Sequence, residues 1–141
     1  MSDKLVVMGP RQVAEMLDRN PNAVLIDIRS SQEFLFIGHA KGAVHVPWID
    51  EPDWVVDPHF GAHVRKVMLG GIRDDEEQNP PMAILMCRSG RRSRDAAELL
   101  IAEGLRNVYS VEGGFEGPLD EHHHRSTLAG WRFEGLPWEQ C

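Results

Sequence analysis

The stretch MAILMCRSGRRSRDAAELLIAEG, from Met82 to Gly104, decides the fold. It opens with a continuous apolar run, Met82 to Cys87, which is typical of a strand buried on both faces of a parallel sheet. From Ser93 to Glu103 the apolar residues recur at helical spacing, and Gly104 can end that helix. The stretch therefore predicts a strand, a tight loop and a helix.

Two further apolar runs predict strands that extend this unit into a sheet. They are Ala23 to Ile28 (AVLIDI) and Val108 to Val111 (VYSV). A helix is predicted from Pro10 to near Asn20, because proline suits the first helical position and an apolar stripe follows. The pattern predicts an α/β fold, with an open, mostly parallel sheet, helices on both faces and the loop between a central strand and a helix. Residues 51–81 predict a surface excursion around a candidate helix over 59–69.

Composition and charge limit the classes of function. The 141 residues are 42% hydrophobic and 26% charged, which predicts one domain over residues 1–141. A net charge of −7 gives the whole chain no electrostatic reason to bind nucleic acid or an anionic membrane. We find no signal-peptide or membrane-span pattern, and the two cysteines, Cys87 and Cys141, form a poor disulfide framework. We therefore expect a cytoplasmic protein.

The loop after Cys87 concentrates positive charge in an acidic chain. Arg88, Arg91, Arg92 and Arg94 lie within seven residues of the cysteine. In an open α/β sheet, ligands bind in the crevice at the carboxyl ends of the strands. The N-terminus of the next helix, the loop amides and the guanidinium groups should favour the Cys87 thiolate and attract an anion. The sequence predicts a cysteine nucleophile beside an anion-binding loop.

Spacing within the loop separates two reactions of cysteine with anions. Cysteine-dependent phosphatases place an arginine six residues after the cysteine, whereas here Ser93 holds that position and Arg92 comes one residue early. The shorter loop favours a sulfur-bearing anion over a phosphoester. A small phosphatase or arsenate reductase remains a remoter alternative.

Four motifs in order along the chain resemble the rhodanese family of sulfurtransferases. They are LIDIRSSQEFLFIGHAKGAVHVP (Leu25–Pro47), ILMCRSGRRS (Ile84–Ser93), NVYSVEGGFEG (Asn107–Gly117) and WRFEGLPW (Trp131–Trp138). The resemblance implies that Cys87 attacks the outer sulfur of thiosulfate, or of a persulfide donor, and carries that sulfur as a persulfide to a thiophilic acceptor. No cofactor is required by this chemistry. The implied substrate-binding residues are Arg88, Ser89, Gly90, Arg91, Arg92 and Ser93.

Four other motif residues are interpreted as structural support for the site. Asp27 and Arg29 follow a strand and can pair, and Glu33 lies four residues after Arg29. His39 can act as an acid or base, but a hydrogen-bonded structural role is the interpretation we favour, and the family resemblance agrees. No metal ligand is assigned among these residues.

The tail departs from the family pattern. Residues 118–130 (PLDEHHHRSTLAG) form an insertion before an expected closing helix. The side chains of the three adjacent histidines, at positions 122–124, would point in different directions on a helix or a strand and could not all bind one metal ion. We therefore expect a polar loop rather than a metal site. The loop is a candidate for recognising a sulfur-acceptor protein. A terminal thiol at Cys141 is interpreted as incidental.

A second function class stays open beside the enzyme. In that alternative the domain is a sulfur-relay module that carries a persulfide between proteins and has little steady-state turnover with thiosulfate. The partners expected for the enzyme are a small sulfur anion, thiosulfate or a persulfide, as donor and a thiol or protein as acceptor, whereas the relay would have proteins as both donor and acceptor.

Overall fold

A parallel sheet forms the centre of the computed structural model, which describes residues 5–72 and 76–140. The strands are β1 (Val6–Met8), β2 (Ala23–Asp27), β3 (His39–Ala40), β4 (Val44–His45), β5 (Ile49–Asp50), β6 (Val55–Val56), β7 (Met82–Met86), β8 (Val108–Val111) and β9 (Trp138–Glu139). The helices are α1 (Pro10–Arg19), α2 (Phe60–Gly70) and α3 (Arg91–Ala102), with a π-helical turn at Glu33–Ile37.

The main sheet has the strand order β1-β8-β7-β2-β4, and every neighbouring pair is parallel. Strand β7 is therefore central, and all five of its residues are buried. Its register pairs Met86 with Asp27 at the end of β2. The residues that follow these two strands, Cys87 and Ile28, consequently emerge side by side at the carboxyl edge of the sheet.

Helices cover both faces of the sheet, as predicted. Helix α1 packs Val13 onto one face, together with Phe115 and Trp131 from the C-terminal segment. Helices α2 and α3 pack onto the other face. None of the helices within 5–72 and 76–140 is long and apolar enough to cross a membrane.

Three details differ from the sequence predictions. Helix α3 begins at Arg91, two residues before Ser93, which shortens the loop. Helix α2 belongs to the core and not to a surface excursion, because Phe60, Val64 and Met68 recur every fourth residue and are buried. The expected closing helix does not form: turns and strand β9 occupy residues 131–140, where Gly135 adopts φ 73°.

Candidate active site

Cys87 lies directly after the central strand, and two backbone N–H groups point at its sulfur. Its Sγ accepts hydrogen bonds from the backbone N–H groups of Gly90 (3.1 Å) and Ser93 (3.3 Å). The Ser93 hydroxyl oxygen lies 3.5 Å from the same sulfur. The cysteine is 1% exposed. Two amide dipoles thus point at the sulfur, an arrangement that stabilises negative charge on it or on a sulfur attached to it.

Gly90 allows the chain to turn sharply between β7 and α3. It adopts φ 103°, a left-handed conformation that other residues rarely take. A Cβ at this position would also lie 3.3 Å from the backbone nitrogen of Gly113. The turn brings the first amides of α3 back over Cys87, so that the N-terminus of the helix faces the sulfur.

The GGFEG segment, residues 113–117, holds the carbonyl groups of the cysteine loop. Phe115 N–H donates to the Cys87 carbonyl (2.8 Å), and Glu116 N–H donates to the Arg88 carbonyl (2.9 Å). Gly114 permits this contact, because a Cβ there would overlap the Cys87 carbonyl oxygen. With its carbonyls bound to this segment, the loop presents donors rather than acceptors to the sulfur.

The Ser93 side chain is held in a buried hydrogen-bond chain. Its hydroxyl donates to the Gly90 carbonyl (3.1 Å) and lies 2.6 Å from the Ser110 hydroxyl of β8. Sequence reasoning did not single out Ser110. The sequence did contain a sign of its role, since Ser110 is a polar residue within the predicted strand VYSV. A buried hydroxyl in such a strand is expected to have a hydrogen-bond partner.

Arg92 forms a two-pronged ion pair with Glu33 that the sequence did not indicate. Nη1 and Nη2 of the arginine each lie 2.9 Å from a different Glu33 oxygen. Burial alone would raise the pKa of Glu33, but the hydrogen bonds and charge of Arg92, with help from Ser30 and Arg29, lower it to about 2. Glu33 in turn raises the pKa of Arg92. The expected spacing partner of Glu33, Arg29, is not its ion-pair partner.

The remaining loop side chains face outward. Arg88 and Arg91 are exposed, and Ser89 is half-buried. Of the three arginines assigned to substrate, Arg92 has both terminal nitrogens on Glu33, whereas Arg88 and Arg91 keep exposed guanidinium groups beside the sulfur loop.

Asp27 and Arg29 form a fully buried pair at the end of β2. Arg29 Nη2 lies 2.7 Å from Asp27 Oδ2 and also donates to the Gly38 carbonyl. The guanidinium lies over the Phe115 ring, with Cζ 4.6 Å from the centroid. This contact joins the end of β2 to the GGFEG segment, which binds the carbonyl groups of the cysteine loop.

His39 packs against other residues of the motif Leu25–Pro47. Its Nδ1 lies 2.9 Å from the Phe34 carbonyl, and its ring stacks on Phe34 with centroids 3.9 Å apart. Its other nitrogen lies 3.5 Å from Glu139 of β9. These contacts fit the structural role that we favour for this residue.

Residues 118–130 form a closed loop that starts beside the cysteine loop. The two ends of the loop lie against each other: a Cβ on Gly117 would overlap the Ala129 carbonyl, and one on Gly130 would lie 2.7 Å from the backbone nitrogen of Gly117. Asp120 organises the loop by accepting from His122 N, His124 N and Thr127 Oγ1. In the part of the chain that the structure describes, no group of three or more potential metal ligands comes together. Cys141 lies outside the described residues.

The comparisons with known proteins agree on one family. A model of the Rhodanese-like domain matches residues 9–120. The chain is 30% identical over 139 residues to thiosulfate sulfurtransferase GlpE of Actinobacillus pleuropneumoniae serotype 7, covering 99% of this chain and 97% of the relative.

Solved structures support the same fold. The crystal structure of Rv0390 from M. tuberculosis superposes with a TM-score of 0.79 and 36% identity, covering 99% of this chain and all of that one. The polysulfide-sulfur transferase homodimer of Wolinella succinogenes is similar in fold alone, with a TM-score of 0.57 and 22% identity, covering 97% of this chain and 80% of that one.

Proposed function

The chain belongs to the rhodanese-like family, and we propose that it is a sulfurtransferase that moves a sulfane sulfur from thiosulfate, or from a persulfide donor, to a thiophilic acceptor through Cys87. The names of its curated relatives support thiosulfate as the donor. The observation that carries the proposal is the pair of N–H groups, from Gly90 and Ser93, directed at the Cys87 sulfur.

In the first step the Cys87 thiolate attacks the outer sulfur of thiosulfate. A new S–S bond forms on Sγ, the S–S bond of thiosulfate breaks, and its electron pair leaves with sulfite. The products are the Cys87 persulfide anion and sulfite, so charge is conserved. The loop amides stabilise the anionic sulfur, and the exposed Arg88 and Arg91 attract the sulfonate end of the donor.

In the second step a nucleophile takes the outer sulfur. Cyanide or a thiolate attacks that sulfur, the persulfide bond breaks, and its electron pair returns to Cys87 as thiolate. Because an S–S bond is about 2 Å long, the persulfide carries the reactive sulfur that far beyond the buried Sγ. The N–H groups of Gly90 and Ser93 can therefore stabilise both anions of the cycle, the Cys87 thiolate and the Cys87 persulfide.

Steady-state kinetics tests this proposal against the relay alternative. Wild type and Cys87→Ser would be assayed for thiocyanate formation from thiosulfate and cyanide, with a phosphate monoester as the comparison substrate. The proposal predicts repeated turnover in wild type and none in Cys87→Ser. Stoichiometric loading followed by negligible turnover would indicate a relay module instead, and phosphatase turnover dependent on Cys87 would contradict both.

A further inference from the structure

The hairpin of β5 and β6, residues 49–57, presents an apolar tip to solvent. Trp54 is 54% exposed, Val55 62% and Val56 44%. Large apolar side chains grouped in this way on a surface are typical of an interaction site. A cleft of about 270 Å³ lies at the same hairpin, between residues 47 and 58.

The hairpin is also strongly acidic. Its sequence IDEPDWVVD contains Asp50, Glu51, Asp53 and Asp57 and no basic residue. Within residues 5–72 and 76–140, none of these carboxylates pairs with a lysine or arginine, although Asp57 lies 3.3 Å from His63. An apolar tip surrounded by unneutralised carboxylates is complementary to a partner that is both aliphatic and basic.

Two contacts place the hairpin at the same edge of the molecule as Cys87. Ser31 donates through its N–H and its hydroxyl to Asp50, and Gln32 donates to Glu51 (3.3 Å). These residues immediately precede Glu33, which holds Arg92 at the start of α3. A partner on the hairpin would therefore lie at the same edge of the molecule as the loop that carries the sulfur.

We propose that the hairpin 49–57 is the docking surface for a basic, aliphatic segment of the sulfur-acceptor protein. This inference rests on the proposed function, since it identifies the acceptor of the same site. This edge of the molecule carries both signs of charge, because the cysteine loop exposes Arg88 and Arg91 while the hairpin is acidic. The acceptor's reactive thiol should consequently lie apart from its basic segment, at the arginine side.

Binding of short synthetic peptides tests the docking surface without any sulfur chemistry. Two labelled peptides, one with a lysine–leucine cluster and one with a glutamate–leucine cluster, would be titrated with the full chain by fluorescence anisotropy. The lysine peptide should bind about tenfold more tightly, and high salt should remove the difference. Equal affinity for the two peptides would overturn the proposal.

Variants of the hairpin locate the interaction. Asp53→Arg should weaken binding of the lysine peptide about tenfold by charge reversal. Trp54→Asn should weaken it by loss of apolar contact, and asparagine tolerates the φ of 55° at this position. Asp18→Arg, at an exposed position of α1, makes the same charge change elsewhere and should leave binding unchanged. If the hairpin variants alter self-association of the protein, and not peptide binding, the surface is an interface between copies and the proposal is wrong.

Sulfur transfer then connects the surface to the reaction. Each peptide would carry a cysteine at the end opposite its charged cluster and would be mixed with protein preloaded with sulfur. The lysine peptide should accept sulfur faster than the glutamate peptide, and Asp53→Arg should remove that advantage while cyanide turnover is unchanged. If hairpin-dependent peptide binding persists but Cys87 never loads sulfur, the proposed function fails, and with it the identification of the partner as a sulfur acceptor. The hairpin would then bind a basic, aliphatic partner that has another role.

Discussion

At the scale of single residues, close backbone approach shapes the site as much as side-chain chemistry. The cysteine loop can present amides to the sulfur because the GGFEG segment binds its carbonyls. Gly114 is the point of contact, with φ 60° and no room for a Cβ beside the Cys87 carbonyl. Replacing this hydrogen by a methyl group should therefore damage both stability and activity.

Gly114→Ala should lower the free energy of unfolding by about 3 kcal/mol or more, because it adds backbone overlap to an unfavourable φ. Gly104→Ala is the matched control, since Gly104 has φ 97° but open space where its Cβ would lie. The control should cost only about 1 to 2 kcal/mol. Chemical denaturation of both variants measures this, and equal losses would show that the loop-to-loop contact is unimportant.

At the scale of elements, the Glu33–Arg92 pair joins the π-helical turn after β2 to the first turn of α3. Both side chains are mostly buried, at 17% and 29% exposed. The pair fixes the helix that supplies the Ser93 amide to the sulfur. It also occupies Arg92, which leaves Arg88 and Arg91 as the exposed cations of the loop.

Glu33→Gln should destabilise the protein by about 1 to 2 kcal/mol near pH 7, a value reduced for partial solvent screening. The folded pKa of Glu33 is about 2, below its ordinary value of 4.5. The stabilisation is therefore complete above about pH 4.5 and is lost as the pH falls through about 2. Chemical denaturation of wild type and variant across this pH range should show that their difference in the free energy of unfolding shrinks as the pH falls. Glu98→Gln, at an exposed position, is the control. A difference independent of pH would contradict the ion-pair account.

The sequence predicted the elements that local patterns specify, and missed those that depend on tertiary contacts. The run after Met82 and the stripe in α3 predicted a buried strand and its helix, and the structure confirms both. The Glu33–Arg92 pair joins residues 59 positions apart, so no local spacing reveals it. The closing segment 131–140 resembled a helix by its family motif, but glycine turns and pairing of β9 with β3 determine its conformation.

At the scale of the whole molecule, an acidic chain maintains a local positive site. The net charge is −7, yet Arg88, Arg91 and Arg94 are exposed around the cysteine loop. A small dianion is repelled by the overall charge and attracted only at short range. Binding of the sulfur donor should therefore depend on individual loop arginines and on ionic strength.

Arg88→Gln combined with Arg91→Gln should raise the KM for thiosulfate about tenfold, because charge-assisted contacts to the sulfonate are lost. Arg106→Gln, at an exposed site before β8, should leave KM unchanged. In wild type, raising the salt toward about 1 M should raise KM as well, since the screening length falls to about 3 Å. Initial-rate kinetics measures each value, and a double variant with unchanged KM would exclude these arginines from donor binding.

The mass of the intact protein after incubation with thiosulfate tests the central claim most directly. Reduced wild type and Cys87→Ser would be incubated with thiosulfate, desalted and weighed by mass spectrometry, then treated with cyanide. We predict the gain of one sulfur atom on wild type only, and its removal by cyanide. Absence of the adduct on wild type, or an equal adduct on Cys87→Ser, would contradict the assignment of Cys87 as the carrier of sulfur from thiosulfate.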